Sequence, residues 1–124
     1  MKYFGGTHNG NVREENQDAF EIIQLEGAVC ATVCDGMGGA NGGSIASTTA
    51  LAEYHEYIKT NLTEEVILSD DVSRLSEILI NGVKFAHEQV KKKARENEEL
   101  EGMGTTLVSA FVKNHFAVVL NVGD

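Results

Sequence analysis

Apolar positions along the chain follow two rhythms, and the switch between them marks the elements. From Asp18 to Leu25 and from Ala28 to Cys34 run two short segments, DAFEIIQL and AVCATVC, with Glu26-Gly27 as a turn pair between them. Two strands joined by so short a connection form an antiparallel hairpin. The stretch from Ser44 to Leu62 then carries Leu51, Tyr54 and Ile58 at helical spacing. Residues 63–68 read as a connection, and Ser69 or Asp70 as the cap of a second helix. Its apolar stripe is Val72, Leu75, Ile78, Leu79, Val83, Ala86 and Val90, its last turns hold Lys91, Lys92, Lys93 and Arg95 against the helix dipole, and Gly102 ends or follows it. Thr105 to Val112 and Phe116 to Val122 read as further strands, and Lys113-Asn114-His115 between them allows only an antiparallel return. Residues 1–16 read as loop or edge strand.

Two rules about these strands conflict. Almost wholly apolar strands belong to sheets covered on both faces, which are usually parallel. The short turns demand antiparallel pairing. Both conditions hold if each antiparallel sheet packs on a second sheet on one face and on helices on the other. The expected fold class is therefore α+β, a four-layer αββα sandwich of antiparallel sheets flanked by helix pairs.

With 124 residues, 42% of them hydrophobic and 23% charged, the chain has the makeup of one globular domain with a real core. A net charge of −9 repels polyanions and argues against nucleic acid or an anionic membrane as partner. An anionic substrate is still compatible, because bound divalent cations reverse the local sign. Cys30 and Cys34 on one strand stand about 13 Å apart, at roughly 3.3 Å per residue, too far for a disulfide, whose Cα atoms lie within about 7 Å. Free thiols fit a reducing compartment. No apolar run approaches the roughly 18 residues of a membrane span, and no basic-then-apolar leader opens the sequence. A soluble cytoplasmic protein is expected.

The chemistry sits at the ends of the first hairpin. Arg13-Glu14-Glu15-Asn16-Gln17-Asp18 precedes its first strand, and Asp35-Gly36-Met37-Gly38-Gly39 follows its second. An antiparallel return brings Asp18 beside Asp35, and two neighbouring carboxylates repel unless a cation lies between them. Gly36 lets its carbonyl approach the same ion. Oxygen-only ligation is the preference of Mg²⁺ or Mn²⁺. An Asp-Gly pair alone is equally a plain turn feeding a helix. Arg13 alone is an ordinary surface arginine; beside a metal pair it becomes a bidentate phosphate ligand. The Walker and dinucleotide glycine patterns fail in this loop, and CxxC, HExxH and GxSxG do not occur. His8, His55, His87 and His115 are scattered and read as surface or packing residues, with His8 able to approach the site.

Arg13-x-x-Asn16-Gln17-Asp18-x-Phe20, Asp35-Gly36-Met37-Gly38-Gly39 with Gly43, Gly104-Thr105-Thr106 and Asn121-Val122-Gly123-Asp124 together resemble the metal-dependent protein phosphatases of the type 2C (PPM) family, in its bacterial form. The resemblance runs from Arg13 to Asp124. It implies the αββα sandwich and a site holding two Mg²⁺ or Mn²⁺ ions. Asp35 matches the bridging ligand, Gly36 the carbonyl ligand, Asp18 a second acidic residue of the site and Arg13 the phosphate-binding arginine. Asp124 matches the aspartate that in several members binds a third, weaker metal. Two positions depart from some eukaryotic members. Met37 stands where they carry a histidine proposed as general acid, and Gln17 stands where they carry a glutamate.

The implied activity is hydrolysis of phosphoserine and phosphothreonine in proteins by a metal-activated water, with substrates of a Ser/Thr kinase as partners and a monomer as the full-length state. The family's later metal-ligating aspartates have no counterpart here. Residues 1–124 are thus expected to form the N-terminal portion of one phosphatase domain, binding Mn²⁺ weakly and turning over little by themselves. The competing expectation is a truncated or degenerate phosphatase-like module that binds partners without catalysis.

Overall fold

The computed structural model of the chain describes residues 5–6, 16–39 and 41–123. β1 (Asp18–Leu25) and β2 (Ala28–Met37) make the expected hairpin, with Leu25 opposite Ala28 and Gly27 at a φ of 77° in the turn. Then come α1 (Gly42–Asn61), a short α2 (Glu64–Ser69), the long α3 (Val72–Glu96) and one 3₁₀ turn at Glu98–Leu100. β3 (Gly104–Thr105), β4 (Leu107–Lys113) and β5 (Phe116–Val122) complete the described elements. The strands pair antiparallel in the order β1-β2-β4-β5, with the two-residue β3 pairing β2 alone.

Several boundaries differ from the sequence reading, each for a local reason. β2 does not end at Cys34, because backbone partners hold it on both sides: Gly36 N–H donates to the Gln17 carbonyl (3.0 Å) and Thr106 N–H to the Asp35 carbonyl (2.9 Å). Residues 64–69 are helical. The Thr63 side chain accepts from Val66 N–H, and Val66 and Ile67 are buried, but six residues are too few to show a period. The cap of α3 is Asp71, whose carboxylate accepts Arg74 N–H at 3.1 Å, while Asp70 closes α2 in the left-handed region at φ 57°. α3 ends at Glu96 with Gly102 following it, as one of the two sequence readings had it, while the third strand is broken at Thr106.

The pleat divides the sheet into two faces. Ile23, Cys30, Cys34, Leu107 and Phe111 face α1 and α3 and are buried with Tyr54, Ile58, Leu75 and Leu79. Full burial of each such large side chain contributes about 1.5–3 kcal/mol. That term, not local propensity, holds α1, whose N-cap Asn41 makes no side-chain capping bond. The opposite face carries Phe20, Ile22, Val33, Val108 and Val119. Val33, Val108 and Val119 stay 52%, 43% and 65% exposed, so the described residues cover one face only. Of the four layers expected, they build one sheet and its helix layer.

A polar chain crosses the interface between α1 and the sheet. His55 Nδ1 lies 2.6 Å from Glu21 Oε1, and its Nε2 lies 2.7 Å from Thr32 Oγ1. Thr32 Oγ1 is 3.0 Å from Ser109 Oγ, which also accepts from Tyr54 O–H at 2.8 Å. Burial pulls His55 below its ordinary pKa. Glu21 opposes this, but that carboxylate is 48% exposed, so water screens its attraction. Cys30 and Cys34 are free and buried as expected; burial raises the Cys30 thiol and pushes Cys34 up to about 12. Among the described residues no helix is long and apolar enough to cross a membrane.

Candidate functional site

The hairpin closes at one end on Asp18 and Asp35, which are direct register partners. Antiparallel pairs alternate between hydrogen-bonded and non-bonded positions. Because Gly36 N–H donates to Gln17, the next pair, Asp18 with Asp35, is a non-bonded one. There Cα atoms lie about 4.5 Å apart and side chains approach most closely. Both carboxylates therefore leave the sheet on the same side, the face turned away from α1 and α3, and both residues are exposed.

Each aspartate is fixed through its backbone. Asp18 N–H donates to Asn16 Oδ1 at 3.0 Å, a side-chain turn that sets the chain's entry into β1. Asp35 is held from the β4 side by one residue. Its N–H donates to Thr106 Oγ1 at 3.1 Å and its carbonyl accepts Thr106 N–H at 2.9 Å. In an extended strand a residue's N–H and C=O point to the same edge. The Gly36 carbonyl therefore faces β1, on the Asp18 side.

Behind this edge the first turn of α1 packs directly on the end of β2. A β-carbon on Gly36 would lie 1.9 Å from the Gly43 carbonyl oxygen, so only glycine permits the contact. The Gln17 side chain lies over Gly43, where an added β-carbon would meet its Cδ at 2.7 Å, and its Nε2 donates to the Gly38 carbonyl at 3.4 Å.

Asp18, Asp35 and Gly36 are thus brought together, whereas Arg13, Asp124 and His8 lie outside the described residues. Two carboxylates and a carbonyl form a hard, all-oxygen donor set that fits Mg²⁺ or Mn²⁺. Among the described residues no three acidic, histidine or cysteine side chains converge. Met37, 57% exposed at the end of β2, offers no titratable group. A groove of about 280 Å³ beside Asp18 runs along the open face past Phe20, Ile22, Ala31 and Val33. Thr106 and the seat of Gln17 were not assigned roles from sequence. The Gly104-Thr105-Thr106 run was a visible pattern, but nothing in its spacing pointed to Asp35.

The family profile described as Protein phosphatase 2C matches residues 5–124. The serine/threonine phosphatase stp of Listeria monocytogenes is 29% identical over 119 residues, covering 95% of this chain and 45% of that protein. The crystal structure of the serine/threonine phosphatase Stp1 from Staphylococcus aureus superposes with a TM-score of 0.77 at 34% identity, over 93% of this chain and 43% of that one. The Mycobacterium tuberculosis serine/threonine phosphatase PstP/Ppp gives a TM-score of 0.70 at 27% identity, over 93% and 43% respectively. The chain spans about half the length of the curated relatives it matches.

Proposed function

Since this chain belongs to the protein phosphatase 2C family, we propose that it carries the phosphate-binding, metal-holding edge of a protein serine/threonine phosphatase. The reading is supported above all by the register pairing of Asp18 with Asp35, which places two acids side by side where a bound cation would relieve their repulsion. In this proposal Asp35, Asp18 and the Gly36 carbonyl would hold Mg²⁺ or Mn²⁺, two ions in the complete site, and Asp124 would help hold a third. Further ligands come from outside the described residues. When bound, such ions lower the pKa of water and neutralise charge on the phosphoryl oxygens.

The chain's own residues then have separate tasks. Arg13 binds the phosphate through two parallel N–H bonds and orients it for in-line attack. Asn16 and Thr106 keep Asp18 and Asp35 from rotating out of register. Met37 transfers no proton, so protonation of the leaving serine or threonine oxygen falls to another group. The substrates are phosphoproteins made by a Ser/Thr kinase, and the protein acts as a cytoplasmic monomer.

The test is turnover of phosphoserine and phosphothreonine peptides by the protein as encoded, in Mn²⁺ and in chelator. Metal-dependent release of phosphate, lost in Asp35→Asn, is expected. Arg13→Ala should raise KM more than it lowers kcat. Full activity of Asp35→Asn overturns the assignment.

A further inference from the structure

The family resemblance leaves Gln17 without charge at a position where some eukaryotic members carry glutamate, yet three separate segments meet on this residue. Its carbonyl accepts Gly36 N–H at 3.0 Å, which closes the register one step from the Asp18 and Asp35 pair. Its side chain sits on the first turn of α1, so close that a β-carbon on Gly43 would meet Cδ, Nε2 and Cγ at 2.7, 2.8 and 3.1 Å. Its amide donates to the Gly38 carbonyl at 3.4 Å, in the loop between β2 and α1. A glutamate would reach the same carbonyl with an acceptor only, so the amide is the side chain of this length that can make the contact.

We propose that Gln17 is the positioning residue of the carboxylate pair: it pins the start of β1 to the loop and to the first turn of α1, and so sets the separation of Asp18 and Asp35. This rests on the metal-site reading above. The position of Asp18 depends on how β1 begins, and that of Asp35 on how β2 ends. Register fixes which residues face each other. Among the described residues the β1–β2 pairing runs from Leu25 opposite Ala28 to Asp18 opposite Asp35 and closes on the Gln17–Gly36 bond. Gln17 acts at that point, and Gly43 is glycine because Gln17 occupies the space its side chain would need.

The Gln17 contacts are with the far end of a flexible side chain, so a methyl on Gly43 displaces the glutamine rather than breaking the helix. Gly43→Ala should therefore reproduce Gln17→Ala, and the two changes should not add. In the 124-residue chain, the first readout is amide exchange at Gly36 by NMR without metal. Both single variants are expected to speed it at least tenfold, with the double variant no faster than Gln17→Ala and the melting temperature within a few degrees. The second readout is Mn²⁺ affinity by electron paramagnetic resonance, expected to fall about tenfold in all three. Unchanged Gly36 exchange in Gln17→Ala, or fully additive effects in the double variant, overturns the proposal. Mn²⁺ held equally by wild type and Gln17→Ala overturns it as well. Mn²⁺ binding by wild type no stronger than by Asp35→Asn overturns instead the metal-site reading, and the exchange data still decide the role of Gln17.

Discussion

The carbonyl oxygen of Gly43 stands 1.9 Å from where a β-carbon on Gly36 would be, so the end of β2 and the first turn of α1 share one volume. Both sides of that contact are main chain, and neither can swing aside. Gly36→Ala must therefore part α1 from β2. Overpacking of this kind typically costs about 1–3 kcal/mol, and contact with backbone places this case at the upper end. The melting temperature of Gly36→Ala should fall well below that of Gly39→Ala, since Gly39 has no atom within 4 Å of an added β-carbon. Equal melting of the two variants would contradict the contact.

Asp18 and Asp35 lead to a prediction with opposite signs in two buffers. In chelator their repulsion destabilises the hairpin end, by up to about 1 kcal/mol for exposed charges in register. Asp35→Asn should then melt slightly higher than wild type. In Mn²⁺ at a hundred times its Kd, wild type gains about 2.7 kcal/mol and the order reverses. Calorimetric scans of both proteins in both buffers check this. A Mn²⁺ shift of the same size in Asp35→Asn would remove that residue from the site.

What the sequence made legible followed from local rules. The Glu26-Gly27 turn and two apolar runs fixed the hairpin, and the hairpin alone made Asp18 and Asp35 neighbours. The register was readable because it is counted from the turn. The glycines of the 36–43 stretch were visible as residues but not as contacts, because the reason for Gly36 lies at Gly43 and the reason for Gly43 lies at Gln17. α2 escaped notice because six residues carry no period. The roles of Thr106 and His55 escaped for a different reason. Their partners are 71 and 23 or 34 residues away, and only the folded sheet brings them together.

His55 makes stability depend on pH. Its folded pKa is depressed by burial below the ordinary value of about 6.5. Above that value the ring is neutral in both states and its contribution is complete. As pH falls below it, the unfolded chain takes the proton first, so stability drops by up to about 1.4 kcal/mol per pH unit until the folded pKa is reached. Urea midpoints between pH 7 and pH 5 should decline in wild type more steeply than in His55→Gln, which keeps polar contacts to Glu21 and Thr32 but cannot titrate. Parallel profiles would mean that folding leaves the His55 pKa unchanged.

Lys113, at the end of β4, joins the far corner of the fold through one ammonium group. Its Nζ donates to the Ile67 carbonyl at 2.5 Å and to Asp70 Oδ1 at 2.5 Å, so a single side chain from the sheet closes the C-terminal end of α2. The two bonds are not equivalent. Asp70 is 60% exposed, and its attraction to the ammonium is screened; the Ile67 carbonyl belongs to a buried residue and has fewer alternatives. Lys113→Met keeps the apolar stem and removes both bonds, and it should cost about 1–2 kcal/mol. Asp70→Asn keeps a residue that tolerates the left-handed φ of 57° and should cost less than half of that. Chemical denaturation of both variants measures the ratio. If Asp70→Asn proves as damaging as Lys113→Met, the ion pair rather than the carbonyl is what secures α2 to the sheet.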